Sequence, residues 1–282
     1  MVEDIIIRDK KDLEQKKQKI AEGGRDKLHV VSDFDRTLTK AYVDGKKIPS
    51  LISILRDENY LTADYPGKAH ALFNRYHPIE IDPEISMSEK KKMMHEWWTC
   101  HFRLLIESGL NKKDIEQAIR STNIQLREGA DDFLKFLNRK NIPLVILSSN
   151  GLGGDSIRMY LKNHDLLFGN IHVISNSFKW DKDGRAIGIE EPIIHSLNKS
   201  EASVKNYPVF KMLEDRKNVI LLGDGVGDTQ MVQGFRAGNV IKIGFLNYDI
   251  EENLNRFKEA FDVVLPGDQS FDFVNGLLGG IA

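Results

Sequence analysis

Val31-Ser32-Asp33-Phe34-Asp35-Arg36-Thr37-Leu38-Thr39 is the stretch that decides the fold. It closes an apolar, β-branched run over residues 28–34 that ends in acidic and small residues, the pattern of a buried strand passing into a loop. Two carboxylates at i and i+2 on such a turn, Asp33 and Asp35, can approach one substrate, one as nucleophile and the other as proton donor. A carboxylate attacks phosphorus usefully because the mixed anhydride it forms hydrolyses easily, splitting one hard displacement into two. Alone, the pair has a plain alternative: two acids that cap a strand end.

Similar runs recur at residues 143–148, 171–175, 218–223 and 239–244, with a shorter one at 262–265. Helix-like stretches at 130–140, 155–167 and 228–236 alternate with them. This alternation predicts an α/β core, a doubly wound, Rossmann-like parallel sheet covered on both faces. Residues 42–128 differ in kind, with helical periodicity at 48–57, 68–76, 88–107 and 112–121 and no buried strand. They read as a helical cap inserted into a core made of residues 1–41 and 129–282. Ser88 is the expected N-cap of the third cap helix. Hairpins are expected at 42–47, around Asp44-Gly45, and near 180–185. A charged helix is expected at 12–21.

With 282 residues, 41% of them hydrophobic and 29% charged, the composition is that of an ordinary globular protein. The formal charge of −2, with no long basic face, argues against binding to a nucleic acid polymer. Cys100 is the single cysteine, which excludes an internal disulfide and a cysteine-rich zinc site. The charged first 24 residues contain no apolar signal region, and no stretch approaches a membrane span. A cytoplasmic monomer is expected, in which the sequon Asn198-Lys199-Ser200 has no role.

In open α/β sheets the ligand sits beyond the carboxyl ends of the strands. The second strand ends in Ser148-Ser149-Asn150-Gly151, where the Ser148 hydroxyl and neighbouring N–H groups, with Ser149, can hold a phosphate; a simple turn is the alternative. The later strand ends in Gly223-Asp224-Gly225-Val226-Gly227-Asp228, adding two carboxylates to the same crevice. Such a cluster repels itself without a cation, and Mg2+ suits it, being held by carboxylates, water and substrate phosphate. Lys199 is the candidate for positive charge on the transferring phosphoryl group.

Taken in order, Asp33-x-Asp35-x-Thr37, Ser148, Lys199 and Gly223-Asp224-x-x-x-Asp228 resemble the four signatures of the haloacid dehalogenase superfamily of phosphatases. The resemblance implies an aspartyl-phosphate on Asp33, proton transfer by Asp35, and phosphate contacts from Ser148 and Lys199. It also implies Mg2+ bound by Asp33, Asp224 and the Asp35 carbonyl, with Asp228 in support.

Across nearly the whole chain the sequence is similar to the cytosolic pyrimidine 5′-nucleotidase family, also called type III. The stretches that carry this are Ile79-Glu80-Ile81-Asp82-Pro83, His95-Glu96-Trp97-Trp98-Thr99, Leu126-Arg127-Glu128-Gly129 and Ile194-His195-Ser196-Leu197-Asn198-Lys199. The resemblance implies a helical cap of the C1 type and base recognition by Glu96, beside the stacking faces of Trp97, Trp98 or Phe102. Arg36 departs from it, filling a position usually apolar.

The expected activity is Mg2+-dependent hydrolysis of a nucleoside monophosphate, CMP or UMP ahead of 7-methylguanosine monophosphate. The alternatives are a phosphatase for phosphoserine or a sugar phosphate, and a phosphate-binding module without catalysis.

Overall fold

A computed structural model describes residues 5–48, 50–57, 60–82, 84–199, 207–234 and 236–282. Residues 1–4, 58, 59 and 201–206 of the expected core and cap lie outside these residues, as do Pro49, Pro83, Ser200 of the sequon and Phe235.

The chain opens with β1 (Ile6–Ile7), α1 (Lys10–Gly23) and β2 (Leu28–Ser32). A small hairpin, β3 (Tyr42–Val43) and β4 (Lys46–Lys47), leads into four helices: α2 (Leu51–Asp57), α3 (Tyr65–Ile81), α4 (Met87–Glu107) and α5 (Lys112–Ala118). The chain then returns through α6 (Ala130–Arg139), β5 (Leu144–Leu147), α7 (Gly153–Asn163) and β6 (Ile171–Ile174). A second hairpin, β7 (Phe178–Trp180) and β8 (Ala186–Ile189), precedes α8 (Val209–Leu213) and β9 (Asn218–Gly223). The chain closes with β10 (Asn239–Leu246), α9 (Ile250–Ala260), β11 (Val263–Pro266) and α10 (Asp272–Ile281).

Among the described residues, seven strands form one sheet in the order β1-β11-β10-β9-β2-β5-β6. All neighbours run parallel except β1, which pairs antiparallel with β11 at the edge. Burial on both sides explains why the strands read as continuous apolar runs. Val30, Ile146, Ile220 and Leu222 enter one hydrophobic cluster with Leu13 and Ile20 of α1, Phe133 and Leu134 of α6, and Leu278 of α10. Val31, Val145, Leu147, Val219 and Leu221 enter the other, with Val209 and Leu213 of α8 and Phe257 of α9. The expected helix at 12–21 is therefore structural: as α1 it covers one face of the sheet. Its first turn is capped by Asp9, whose Oδ1 accepts from the amides of Lys11 and Asp12.

β2 lies between β5 and β9, with Ser32 level with Ile146 on one side and Leu222 on the other. The carboxyl ends of these three strands therefore open side by side, where the direction of winding reverses and a crevice must form.

Several expected elements differ. The third helix of the insertion starts at Met87, and its N-cap is Ser86 in place of Ser88; the Ser86 hydroxyl accepts from Glu89 N at 3.2 Å. The expected helix at 68–76 is longer, running from Tyr65 to Ile81 through Pro78. In place of an α-helix at 228–236, residues Val226–Gly234 form 3-10 turns. β1, α8, α9 and α10 were not among the expected elements. No helix among the described residues is long and apolar enough to cross a membrane.

Candidate active site

The end of β2 is fixed before its side chains act. Asp33 N donates to Leu222 O of β9 at 3.0 Å, and the Ser32 hydroxyl donates to Asp33 O at 2.7 Å. Beyond it the chain turns through Arg36, whose φ of 61° is left-handed, a conformation that residues with a Cβ seldom adopt. Thr39 Oγ1 holds the turn by accepting from Arg36 N at 2.8 Å.

Asp33, Asp35, Ser148, Ser149, Lys199, Asp224 and Asp228 all line one cavity of about 640 Å3, within the usual size range of small-molecule sites. Lys199 Nζ lies 2.7 Å from Asp33 Oδ1 and 2.8 Å from Asp228 Oδ1, with all three side chains 7% exposed. The loop that delivers Lys199 is held to the end of β6, since Asn176 both donates to Ile194 O and accepts from Ile194 N. Asp228 also shapes the neighbouring loop, because its Oδ2 accepts from the amides of Asp224 at 3.1 Å and Gly225 at 2.9 Å. That close approach requires the missing side chain at Gly223, where a Cβ would lie 2.5 Å from Asp228 Cβ.

Carboxylate oxygens of Asp33, Asp224 and Asp228 lie within 4.8 Å of one another. Burial, reinforced by Asp228 and Asp224, pushes Asp33 up to about 8 against the pull of Lys199. Burial likewise raises Asp224 to about 6, with Asp228 adding to it and Arg36 opposing. Burial also raises Asp35, against Arg36, Lys199 and a hydrogen bond from Asn150. Groups that resist ionisation together are relieved by a cation, and an all-oxygen set fits Mg2+.

Sequence reasoning passed over Asn150. Its Nδ2 donates to Asp35 Oδ2 at 3.2 Å while its Oδ1 accepts from Leu152 N at 2.7 Å, so the second strand's loop orients Asp35 as well as offering Ser148. The next residue, Gly151, meets the insertion: a Cβ there would lie 3.1 Å from Ile52 and 3.2 Å from the Trp98 ring.

A family model described as pyrimidine 5′-nucleotidase (UMPH-1) matches residues 36–282. The chain belongs to that family. As a family member it is a 5′-nucleotidase, a phosphoric monoester hydrolase. It is 39% identical to the 7-methylguanosine phosphate-specific 5′-nucleotidase of Homo sapiens over 260 residues, 92% of this chain and 86% of that one. It is 34% identical to the putative cytosolic 5′-nucleotidase 3 of Caenorhabditis elegans, covering 96% of this chain and 73% of the relative. Among solved structures it resembles cytosolic 5′-nucleotidase IIIB bound to cytidine, with a TM-score of 0.90 and 30% identity over 100% of this chain and 94% of that one. A phosphoserine phosphatase at 18% identity and a TM-score of 0.52, covering 90% of this chain and 98% of its own, shares the fold.

In this nucleotidase the helices α3 and α4 also line the cavity, with Tyr65, Phe73, Glu80, Trp97, Trp98 and His101. Phe73 and Trp97 lie edge to face with ring centroids 6.0 Å apart. Glu96, expected to read the base, is not among the lining residues. It sits beside Trp97 on α4 but turns to α3, where its Oε1 accepts from Tyr76 Oη at 2.6 Å and Arg75 Nη2 at 3.3 Å. Among the described residues, the carboxylate that α3 and α4 bring to the cavity lining is Glu80, carried by the helical turn beyond Pro78. His101 lines the cavity too, and burial holds its imidazole down to about 4, neutral at pH 7.

Proposed function

We propose that this 5′-nucleotidase hydrolyses nucleoside 5′-monophosphates with Mg2+ through an aspartyl-phosphate on Asp33. The observation that carries this is one cavity lined both by Asp33, Asp35, Ser148, Lys199, Asp224 and Asp228 and by Phe73, Trp97 and Trp98. Asp33, Asp224 and the Asp35 carbonyl would hold the cation, supported by Asp228, and the cation would offset charge on the phosphoryl oxygens.

In the chemistry proposed, Asp33 attacks phosphorus and Asp35, whose proton affinity burial raises, passes a proton to the departing ribose oxygen. Asp35 then takes a proton from the water that cleaves the acyl phosphate. Lys199 and Ser148 hold the phosphoryl oxygens. Residues 1–41 and 129–282 thus act on the phosphate, and the insertion at 42–128 holds the base.

For the base, 7-methylguanosine takes precedence over cytosine and uracil. Its ring carries a positive charge, which aromatic faces attract and the Glu80 carboxylate complements, while a neutral His101 does not repel it. The name of the human relative agrees. CMP remains the second substrate because a protein of closely similar fold is described bound to cytidine.

The deciding experiment compares kcat/KM for 7-methylguanosine monophosphate, CMP, UMP and phosphoserine with Mg2+ and with chelator, alongside Asp33→Asn. Metal-dependent release from the nucleotides, abolished in Asp33→Asn, is expected. Normal turnover by Asp33→Asn, or a preference for phosphoserine, would overturn the proposal.

A further inference from the structure

Leu126-Arg127-Glu128-Gly129 lies where the chain returns from the insertion to the core, and Arg127 is 2% exposed. Its guanidinium reaches acceptors in three separate loops. Nε donates to Thr37 O at 2.9 Å and Nη2 to Arg36 O at 2.5 Å, both in the loop after β2. Nη2 also donates to Asn247 Oδ1 at 2.6 Å, after β10. Nη1 donates to Asp268 Oδ1 at 2.8 Å and Gln269 O at 2.9 Å, after β11. A guanidinium carries five N–H donors in a rigid planar fork, and these five acceptors use all of it. The plane lies over the Phe245 ring, 4.4 Å from its centroid.

We propose that Arg127 is a positioning residue for the reaction, fixing the backbone turn that aims the Asp35 carboxylate. This rests on the proton-transfer role given to Asp35 above. Arg36 follows Asp35 directly, and its left-handed backbone is held from outside. Its carbonyl accepts from Arg127 Nη2 and from Asn247 Nδ2 at 3.0 Å, and its amide donates to Thr39. Without the fork, a conformation unfavourable to a side-chain-bearing residue is free to relax, and Asp35 moves with it. Asp268 extends the anchor to the root of the insertion, since its carboxylate also accepts from the amides of Ala41 at 2.8 Å and Tyr42 at 3.1 Å. A lysine at 127 keeps the charge but offers three hydrogens from one nitrogen, so it cannot span the three loops.

The test compares Arg127→Lys with the parent by steady-state kinetics on a nucleotide and on p-nitrophenyl phosphate, and by hydrogen exchange resolved to residues 36–42. Since a misplacement near 1 Å costs up to about a hundredfold, kcat should fall roughly tenfold to a hundredfold on both substrates, with KM within about threefold. Amides at 36–42 should lose protection while those of β5 and β9 keep theirs. A parental kcat in Arg127→Lys, or protection lost equally across the sheet strands, would overturn the proposal. If that variant fails to fold, Asn247→Ala, which removes one donor to Arg36 O and one acceptor of Arg127, is judged by the same criteria. A parent without Asp33-dependent turnover would overturn the nucleotidase chemistry instead, and the exchange pattern would still decide the anchor.

Discussion

Ser196 Oγ donates to Glu80 Oε1 at 2.7 Å, joining the end of α3 to the loop that presents Lys199. Both residues line the cavity, so one contact links the wall proposed for the base with the wall proposed for the phosphate. His77 Nδ1 approaches the other oxygen of Glu80 at 3.3 Å, leaving the carboxylate held at the edge of the space a base would fill.

Glu80→Gln keeps the shape and the contact to Ser196 but removes the charge. A hydrogen bond to a charged group contributes about 1.5–3 kcal/mol, so kcat/KM for 7-methylguanosine monophosphate should fall roughly tenfold to a hundredfold. Turnover of p-nitrophenyl phosphate, which has no base, should hold. Glu96→Gln should change the nucleotide ranking less. A larger loss of discrimination in Glu96→Gln than in Glu80→Gln would return base recognition to Glu96.

Cation–π attraction gives a second prediction at the same wall. Phe73→Leu should reduce the preference for 7-methylguanosine monophosphate over GMP by a factor of a few to about thirty, corresponding to about 0.5–2 kcal/mol. The methyl group and its charge are the only differences between the two substrates, so the ratio isolates that attraction. An unchanged ratio would remove the Phe73 ring from base recognition.

The phosphate end was far more legible in the sequence than the base end, for a physical reason. Asp33, Ser148 and Asp224 follow buried strands directly, and a parallel sheet brings its carboxyl ends together whatever the loops do. Glu80 and Glu96 both sit on inserted helices, and helical period alone does not say which face meets the core. Pro78 conceals Glu80 further: a proline usually ends or kinks a helix, yet α3 continues past it to Ile81. Asn150 was hidden because its partner Asp35 lies 115 residues away in sequence. The 3-10 turns at Val226–Gly234 replace an expected helix where the Asp228 side chain turns back to the amides of Asp224 and Gly225.

Metal and pH should act together on stability. Free carboxylates lose their protons near pH 4, whereas the folded chain keeps protons on Asp224 up to about 6 and on Asp33 up to about 8. Between those values the folded state binds more protons than the unfolded one, so metal-free stability should fall as pH rises through that window. Mg2+ displaces these protons, so its stabilising effect should grow in the same direction. Thermal unfolding from pH 5.5 to 8.5, with Mg2+ and with EDTA, should show a widening gap in Tm. A gap independent of pH would refute the assignment of these carboxylates to the cation.

Two neighbouring glycines separate a steric requirement from a conformational one. Neither Gly223 nor Gly225 has positive φ, so alanine carries no backbone penalty of that kind at either. At 223 an added Cβ meets Asp228 Cβ at 2.5 Å and Oδ2 at 2.7 Å, whereas at 225 the nearest atom is Asp228 Oδ2 at 3.5 Å. Gly223→Ala must therefore displace Asp228, which holds Lys199 and two loop amides. Overpacking of this kind costs about 1–3 kcal/mol, and Tm should fall by several degrees. Because Asp228 supports both Lys199 and the Asp224 loop, kcat should fall further than that stability loss explains, and more Mg2+ should be needed for half-maximal turnover. Gly225→Ala should keep both Tm and Mg2+ dependence near the parent's. If the two variants behave alike, loop flexibility is what the glycines supply; if they diverge as expected, it is the room Gly223 leaves for Asp228.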